Sequence, residues 1–529
     1  MNKLVNAGVG RSRPAPALLL RASLPALLAL AALPAETRAQ FAPPQVTAAL
    51  KSAGGDREVR GFYKARGYRP LWIRGSTLGP EADRVLELVG TADLDGLDPE
   101  EYRPHALAEA IERGRDGSPR DLAKAEMLLS RTFARYVRDV RGVRGGTMVY
   151  VDRELAPVTP PMRSVLESAA SAPSLGQYLE HTGWMNPIYG QLRKALAVSA
   201  GGSRNPAVSI PAGPILRAGA TGERVRMLRL RLGLDPDGKF DETVAEAVRE
   251  AQAARGIPQD GIAGPRTLAA LNETNPQREQ ILRLNLERAR ALPANPGRRY
   301  VLVDAASARL WMYEDGRVRD SMRVIVGKPT EQTPVMAGLI RFAQVNPYWN
   351  IPPDLVRLRI VPIALSKGPA ALKSKYEVLT DWSANARPVD PSTIDWSAVA
   401  SGQREVRVRQ LPGGDNAMGK MKFMFPNELG IYLHDNPEKH LFQKAERRFS
   451  SGCVRVEDAA RLATWLFGKP LVARSSTPEQ QVDLPTPVPV YITYLTAMPE
   501  GQGVTFRRDV YNRDQAQLAR LGSGVFAGR

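Results

Sequence analysis

The most reactive group in the sequence is the thiol of Cys453, the one cysteine in 529 residues. It stands in Phe449-Ser450-Ser451-Gly452-Cys453-Val454-Arg455-Val456, downstream of Ile431-Tyr432-Leu433-His434-Asp435-Asn436-Pro437. A free thiol ionises near pH ~8.5, so attack near neutrality needs a base or a positive neighbour. His434, closing a predicted strand, is the candidate general base and Cys453 the candidate nucleophile. A cysteine on a Ser-Ser-Gly turn that opens a helix at Glu457 gains from backbone N–H groups and the helix dipole, and the amides of Ser451 and Gly452 can hold an oxyanion. Arg455 has the planar fork that suits a substrate carboxylate, with a surface salt bridge as the alternative. Two other readings of the same residues exist. A lone thiol can be a buried small hydrophobe, and His434, Asp435, His440 and Cys453 are all metal-binding types. Their spacing is neither the helical i, i+4 pair nor a Cys-x-x-Cys motif, so no metal and no cofactor is expected.

Short β-prone runs separated by turns must position these groups: Tyr300–Asp304, Arg309–Tyr313 and Met322–Val326, then Ile340–Asn346, Val406–Gln410, Met421–Phe425, Ile431–Leu433 and Val490–Thr493. A helix-and-loop insertion, about 353–402, interrupts them; insertions of that length often act as lids. Upstream, Asp121–Val140 carries apolar residues at helical spacing inside a largely helical segment, 40–200. Residues 201–214 are rich in Gly, Ser, Pro and Ala and read as a linker. Within 215–273 two amphipathic helices and a third at Thr267–Leu271 are separated by Asp235-Pro236-Asp237-Gly238 and by Gln259 to Pro265. Residues 274–297 read as a second linker, 298–497 as the mostly-β domain and 498–529 as a C-terminal extension.

A chain of this length exceeds one ordinary core, which stops growing near ~250–300 residues. Hydrophobic residues at 43% and charged residues at 24% match a soluble globular composition. The net charge of +18 is scattered among acids instead of concentrated in runs, so it predicts general attraction to polyanions and no dedicated nucleic-acid arm. Lys3, Arg11, Arg13 and Arg21 precede the apolar stretch Ala22–Ala35 and small residues up to Ala39, the order of a secretory signal over 1–39. Export is therefore expected, with membrane contact only through that signal.

Residues Gly222, Val225, Leu228, Leu232, Gly238, Phe240, Thr243, Val248, Gln252, Asp260, Gly261, Gly264, Thr267 and Leu271 resemble the three-helix peptidoglycan-binding domain of cell-wall enzymes. Ala251 stands where that family usually has an aromatic residue. His434, Ser450, Gly452, Cys453 and Arg455 resemble the L,D-transpeptidase catalytic domain, and Ser451 replaces the histidine that most members carry before the glycine. That departure is similar to the large branch known from Gram-negative envelopes, as are Val326 to Pro329, Gln332 to Pro334, Asn346 to Pro352, Arg409 to Gly413, Asn416 to Gly419 and Tyr491 to Asp514. The resemblance implies a multidomain α+β periplasmic protein with a helical N-terminal scaffold domain, a peptidoglycan-binding domain and a catalytic domain. Its implied reaction is acyl transfer on tetrapeptide stems through a cysteine thioester, with release of D-alanine. Partners would be donor and acceptor stem peptides and other cell-wall enzymes. Ser450, Tyr432, Trp349 and Asn350 are expected beside the substrate. An L,D-carboxypeptidase and a non-catalytic wall-binding scaffold are the competing functions.

Overall fold

The protein is described here from a computed structural model that covers residues 43–115, 117–142, 148–201, 210–253, 257–272, 276–501 and 503–522. The expected signal, residues 1–39, and most of the first expected linker, 202–209, lie outside them. Among the described residues no helix is long and apolar enough to cross a membrane.

The N-terminal region is a helical array built around α1, Pro119–Val140, whose Ser118 cap accepts from the Asp121 amide. One face of α1 is apolar and buried, from Leu122 through Leu129 and Phe133 to Val140. Into that face α1 also buries Glu126, fully enclosed, which accepts from the Tyr63 hydroxyl at 2.6 Å, from the Trp72 amide at 3.0 Å and from the Leu71 amide. Burial pushes its carboxyl from 4.5 up to about 6, against three hydrogen bonds that hold it down. The folded value lies above the unfolded one, so the stabilising contribution is full below pH 4.5 and lost as pH rises through 6. A shift of that size is worth about 2 kcal/mol. Urea unfolding of the wild type and Glu126→Gln at pH 4.5 and pH 7 should show their stability gap changing by about that amount. A gap that ignores pH would remove the assignment.

Helix α2, Pro187–Gly201, ends this array. A three-helix unit follows: α3, Glu223–Arg231, α4, Glu242–Ala253, and α5, Pro265–Asn272, around Val225, Leu228, Phe240, Val244 and Val248. The motif residues here determine the fold. The buried Gln252 amide donates to Asp260 Oδ1 at 2.7 Å, Ile262 O and Thr267 Oγ1 and accepts from the Gly261 amide, pinning the turn between α4 and α5.

The stretch expected to be a second linker is instead a helix, α6, Pro276–Arg290. It is tied down at both ends of the molecule. Arg290 donates to Val140 O and to Asp95 O, while Asn285 exchanges hydrogen bonds with Thr496. Its apolar residues Leu282, Leu286 and Ala289 join a core that runs from the helical array to Tyr300, Leu302, Tyr491 and Leu495 of the β domain. Weak periodicity hid it, because only the packing on both sides makes those few positions buried.

The β domain contains β1, Arg299–Asp304, β2, Arg309–Glu314, β3, Arg317–Gly327, and β4, Met336–Val345. Strands β5 to β8, described below, belong to the region of the insertion; after it come β9, Met421–Met424, β10, Leu433–His434, β11, Arg448–Ser450, β12, Val454–Val456, and the long β13, Gln480–Thr493. Strand order is β9-β10-β12-β3-β2-β1-β13-β4, and β9 also pairs with β4, so the sheet closes on itself. Inside sit Val301, Leu310, Val324, Ile340, Phe423, Leu433, Val454 and Ile492. Seven of the eight sequence-predicted strand runs fall on these strands or on the strand at Arg407–Gln410, whereas of Ile431–Leu433 only Leu433 lies in β10.

The insertion expected over about 353–402, together with its flanks, holds more than the helices and loops expected of it. Strands β5, Trp349–Ile351, β6, Tyr376–Leu379, β7, Pro388–Val389, and β8, Arg407–Gln410, form a separate sheet in the order β7-β6-β8-β5. With the helices at Val361–Lys367 and Trp396–Ala400 they enclose a core of Ile351, Val356, Leu372, Val378, Trp396 and Val408. The expected C-terminal extension includes most of a hairpin, Ala497–Glu500 with Gly503–Phe506, and a helix, Arg513–Gly522, that packs against α6.

Candidate active site

Strand alternation builds the site. On β9, β10 and β12 the residues Phe423, Leu433 and Val454 point into the barrel and are fully buried, so their neighbours point to the opposite face. Register then sets who meets whom. His434 lies opposite Lys422 of β9 in the antiparallel pair and opposite Arg455 of β12 in the parallel pair. One step along the same face, Tyr432 and Cys453 are side by side, as the Val454 amide bonded to Tyr432 O requires. His434 and Cys453 are thus diagonal neighbours, a spacing of about 7–8 Å at Cα that side chains can bridge. The rings of Tyr432 and His434 are 5.7 Å apart between centroids.

The imidazole is buried, and its Nδ1 contacts the Asp435 carbonyl oxygen at 2.6 Å. A carbonyl only accepts, so Nδ1 carries the proton and Nε2 is left as the free base. Burial, then the charge of Arg455, and also that of Lys422, pull the imidazole from 6.5 down to about 3, with the Asp435 contact acting against them. It is neutral at physiological pH. Asp435 is itself fixed: its carboxylate accepts from the Lys420 amide at 2.9 Å and from Lys439 Nζ at 2.6 Å. Gly419, at φ 59°, has no room for a Cβ beside that carboxylate.

Cys453 is half-buried and packs against the barrel core. Its thiol donates to Gly430 O at 3.5 Å, not to His434, in this resting arrangement. Burial pushes the thiol up, opposed by the Tyr432 amide and hydroxyl and by the charges of Arg455 and Lys422. Thiol and imidazole both rest uncharged, so a sulfur acting as nucleophile would have to pass its proton to a base.

The turn before the cysteine departs from expectation in three respects. Cys453 leads into strand β12 and not into a helix; the following helix, α7 at Ala459–Phe467, starts beyond its Asp458 cap, so its dipole does not act on the sulfur. Ser450, expected to touch substrate, is buried: its hydroxyl donates to Cys453 O at 2.5 Å and accepts from the Gly452 amide at 3.3 Å. It clasps the turn. The same bond occupies the Gly452 amide, which therefore is not a free oxyanion donor, whereas Ser451 is exposed.

Gly452 itself sits at φ 107°, a conformation that disfavours side chains. Thr333, wholly buried, braces it by donating to Gly452 O at 2.8 Å while accepting from the Gly327 amide at 2.9 Å. Tyr511, from beyond the barrel, donates to Gly327 O at 2.6 Å. Thr333→Val, of equal shape, leaves both backbone groups without that hydroxyl and should cost about 1–3 kcal/mol, read by urea unfolding, with a lower kcat as the turn loosens. Unchanged values of both would show that the brace is dispensable.

Arg455 is mostly buried and donates to Asn436 Oδ1 at 3.3 Å, with Glu438 3.9 Å away. Trp349 and the exposed Asn350 lie on β5, at the edge of the insertion sheet, where Asn350 accepts from Arg407 and Trp349 carries the Arg359 guanidinium 5.8 Å from its ring. The charge of Arg359 is felt by Arg455, so the insertion faces the site, but Trp349 and Asn350 are not in the cluster around the sulfur. His440 is exposed. Lys422 and the Asp435 carbonyl are the parts that sequence reasoning missed. A lysine between Met421 and Phe423 in an apolar strand was the available signal for the first.

Comparison with known proteins gives three family models: a scaffold domain over residues 57–196, a "Putative peptidoglycan binding domain" over 226–271 and the L,D-transpeptidase catalytic domain over 298–490. A curated relative from Haemophilus influenzae, named "Putative L,D-transpeptidase", is 32% identical over 250 residues, 46% of this chain and 50% of that protein. The chain thus spans about half the length of that relative. Among solved structures, an L,D-transpeptidase fragment from Xylanimonas cellulosilytica is 18% identical, covering 53% of this chain and 98% of that one, with a TM-score of 0.19. An L,D-transpeptidase from Mycobacterium smegmatis is 13% identical, covering 37% and 58%, also at 0.19. The cluster of Cys453, His434 and Arg455 falls inside the third matched segment, and the chain carries an L,D-transpeptidase catalytic domain behind a scaffold domain and a peptidoglycan-binding-type domain.

Proposed function

We propose that the protein is an exported peptidoglycan L,D-transpeptidase acting through a Cys453 thioester. The observation that carries this reading is the shared face of β10 and β12, where a neutral imidazole with its Nε2 free stands diagonal to the only thiol. In the first half-reaction His434 Nε2 takes the thiol proton as Sγ attacks the carbonyl of the L-centre of diaminopimelate in a tetrapeptide stem. The resulting oxyanion is met by the Ser451 and Cys453 amides of the turn. Collapse breaks the bond to D-alanine, whose nitrogen receives the proton from His434, and leaves the thioester. An amine of a second stem then attacks; His434 takes its proton, the new amide forms and the thiol is restored. Arg455 pairs with a substrate carboxylate, Tyr432 lines the groove beside the sulfur, and the insertion with Trp349 and Asn350 covers it.

The test is mass spectrometry of purified protein with defined tetrapeptide muropeptides. Release of D-alanine, an acyl adduct on the peptide containing Cys453 and cross-linked dimers are expected. Tripeptide without dimers would replace the reading with an L,D-carboxypeptidase. No adduct and no turnover would leave only a wall-binding role.

A further inference from the structure

Lys422 is a buried cation held only by long contacts. It is nearly buried on β9, on the reactive face, directly across from His434. An ammonium has three donors, yet its contacts are the Tyr348 carbonyl at 3.4 Å and Glu479 Oε1 at 3.5 Å, both at the outer limit of a hydrogen bond, with the Tyr432 ring centroid 5.7 Å away. Desolvating a cation this weakly paired is costly, and burial lowers its pKa. Its charge reaches both His434 and Cys453. Arg455, on the other flank of His434, donates to Asn436 at 3.3 Å and lies 3.9 Å from Glu438, with its Nε buried and unpartnered.

The acyl-transfer reading above, on which this inference rests, fixes where an anion arrives. The departing amino acid collects its proton from His434 Nε2, so its nitrogen lies at that atom. Its carboxylate is two bonds from the nitrogen and must lie beside the imidazole. Both cations opposite His434 hold only long contacts, and Arg455 is already given a substrate carboxylate in the reading above, which leaves Lys422. We propose that Lys422 binds the terminal carboxylate of the donor stem, and so selects donors that end in a free acid.

Two donors test this, identical except that one ends in a carboxylate and the other in a carboxamide. For the wild type, kcat/KM should favour the acid by on the order of 50-fold, the worth of one charge-assisted hydrogen bond. In Lys422→Met the acid-to-amide ratio should fall towards unity, and in Lys422→Arg it should be largely restored. The ratio is internal, so partial misfolding of a variant lowers both rates and leaves it unmoved. A ratio kept in Lys422→Met overturns the assignment, and so does a wild type that treats the two donors alike, without any variant. Absence of Cys453 acylation by either donor in the wild type overturns the proposed function, and this inference with it.

Discussion

His434→Ala should lower kcat/KM about 100- to 10,000-fold, the usual worth of a positioned general base, and Cys453→Ala should abolish turnover and the acyl adduct. The pH profile distinguishes this site from an ordinary cysteine–histidine pair. The base works only when neutral, and its burial beside Arg455 and Lys422 lowers it from 6.5 to about 3. Acidification therefore leaves the base competent until far below the usual histidine range. An unperturbed imidazole would be about 97% protonated at pH 5, a loss of roughly 30-fold. This protein should keep kcat/KM within about threefold between pH 7.5 and pH 5. An acid limb centred near pH ~6.5 would show that the imidazole titrates as if exposed.

Asp95→Ala should be the most destabilising single change in the scaffold. Asp95 is fully buried at the end of the short helical turn Ala92–Asp95. It accepts from Tyr136 and Tyr189 hydroxyls, each at 2.7 Å, and from Arg193 Nε at 3.0 Å. Removing it leaves a buried guanidinium and two buried hydroxyls without their acceptor. Breaking one side of such a pair costs about 3–5 kcal/mol, measurable by urea unfolding. The double variant Asp95→Ala with Arg193→Met should lose less than the two single losses added, because the second change removes the stranded charge. A loss under about 1 kcal/mol for Asp95→Ala would mean that water replaces the carboxylate.

The same network links the scaffold to the β domain. Arg290 of α6 donates to the Asp95 carbonyl, and α6 carries the core into the β domain. The scaffold and the barrel are therefore parts of one packed body. Sequence periodicity divided them, because α6 has few apolar positions and each is buried only by a partner far away in the chain.

What the sequence determined by itself was chemical type and local pattern. A single thiol, a histidine after a β-prone run, a Gly before the cysteine and an arginine two places on were readable, as were α1, the three-helix unit and the strand runs. These depend on residue identity and on neighbours a few positions apart. Tertiary structure decided the rest. Cross-strand register placed Lys422 opposite His434, burial made the imidazole neutral, the Asp435 carbonyl chose its tautomer, and the Ser450 clasp took the Gly452 amide out of the oxyanion site. Register, desolvation and hydrogen-bond competition arise between segments distant in sequence, and no local pattern encodes which of them will meet.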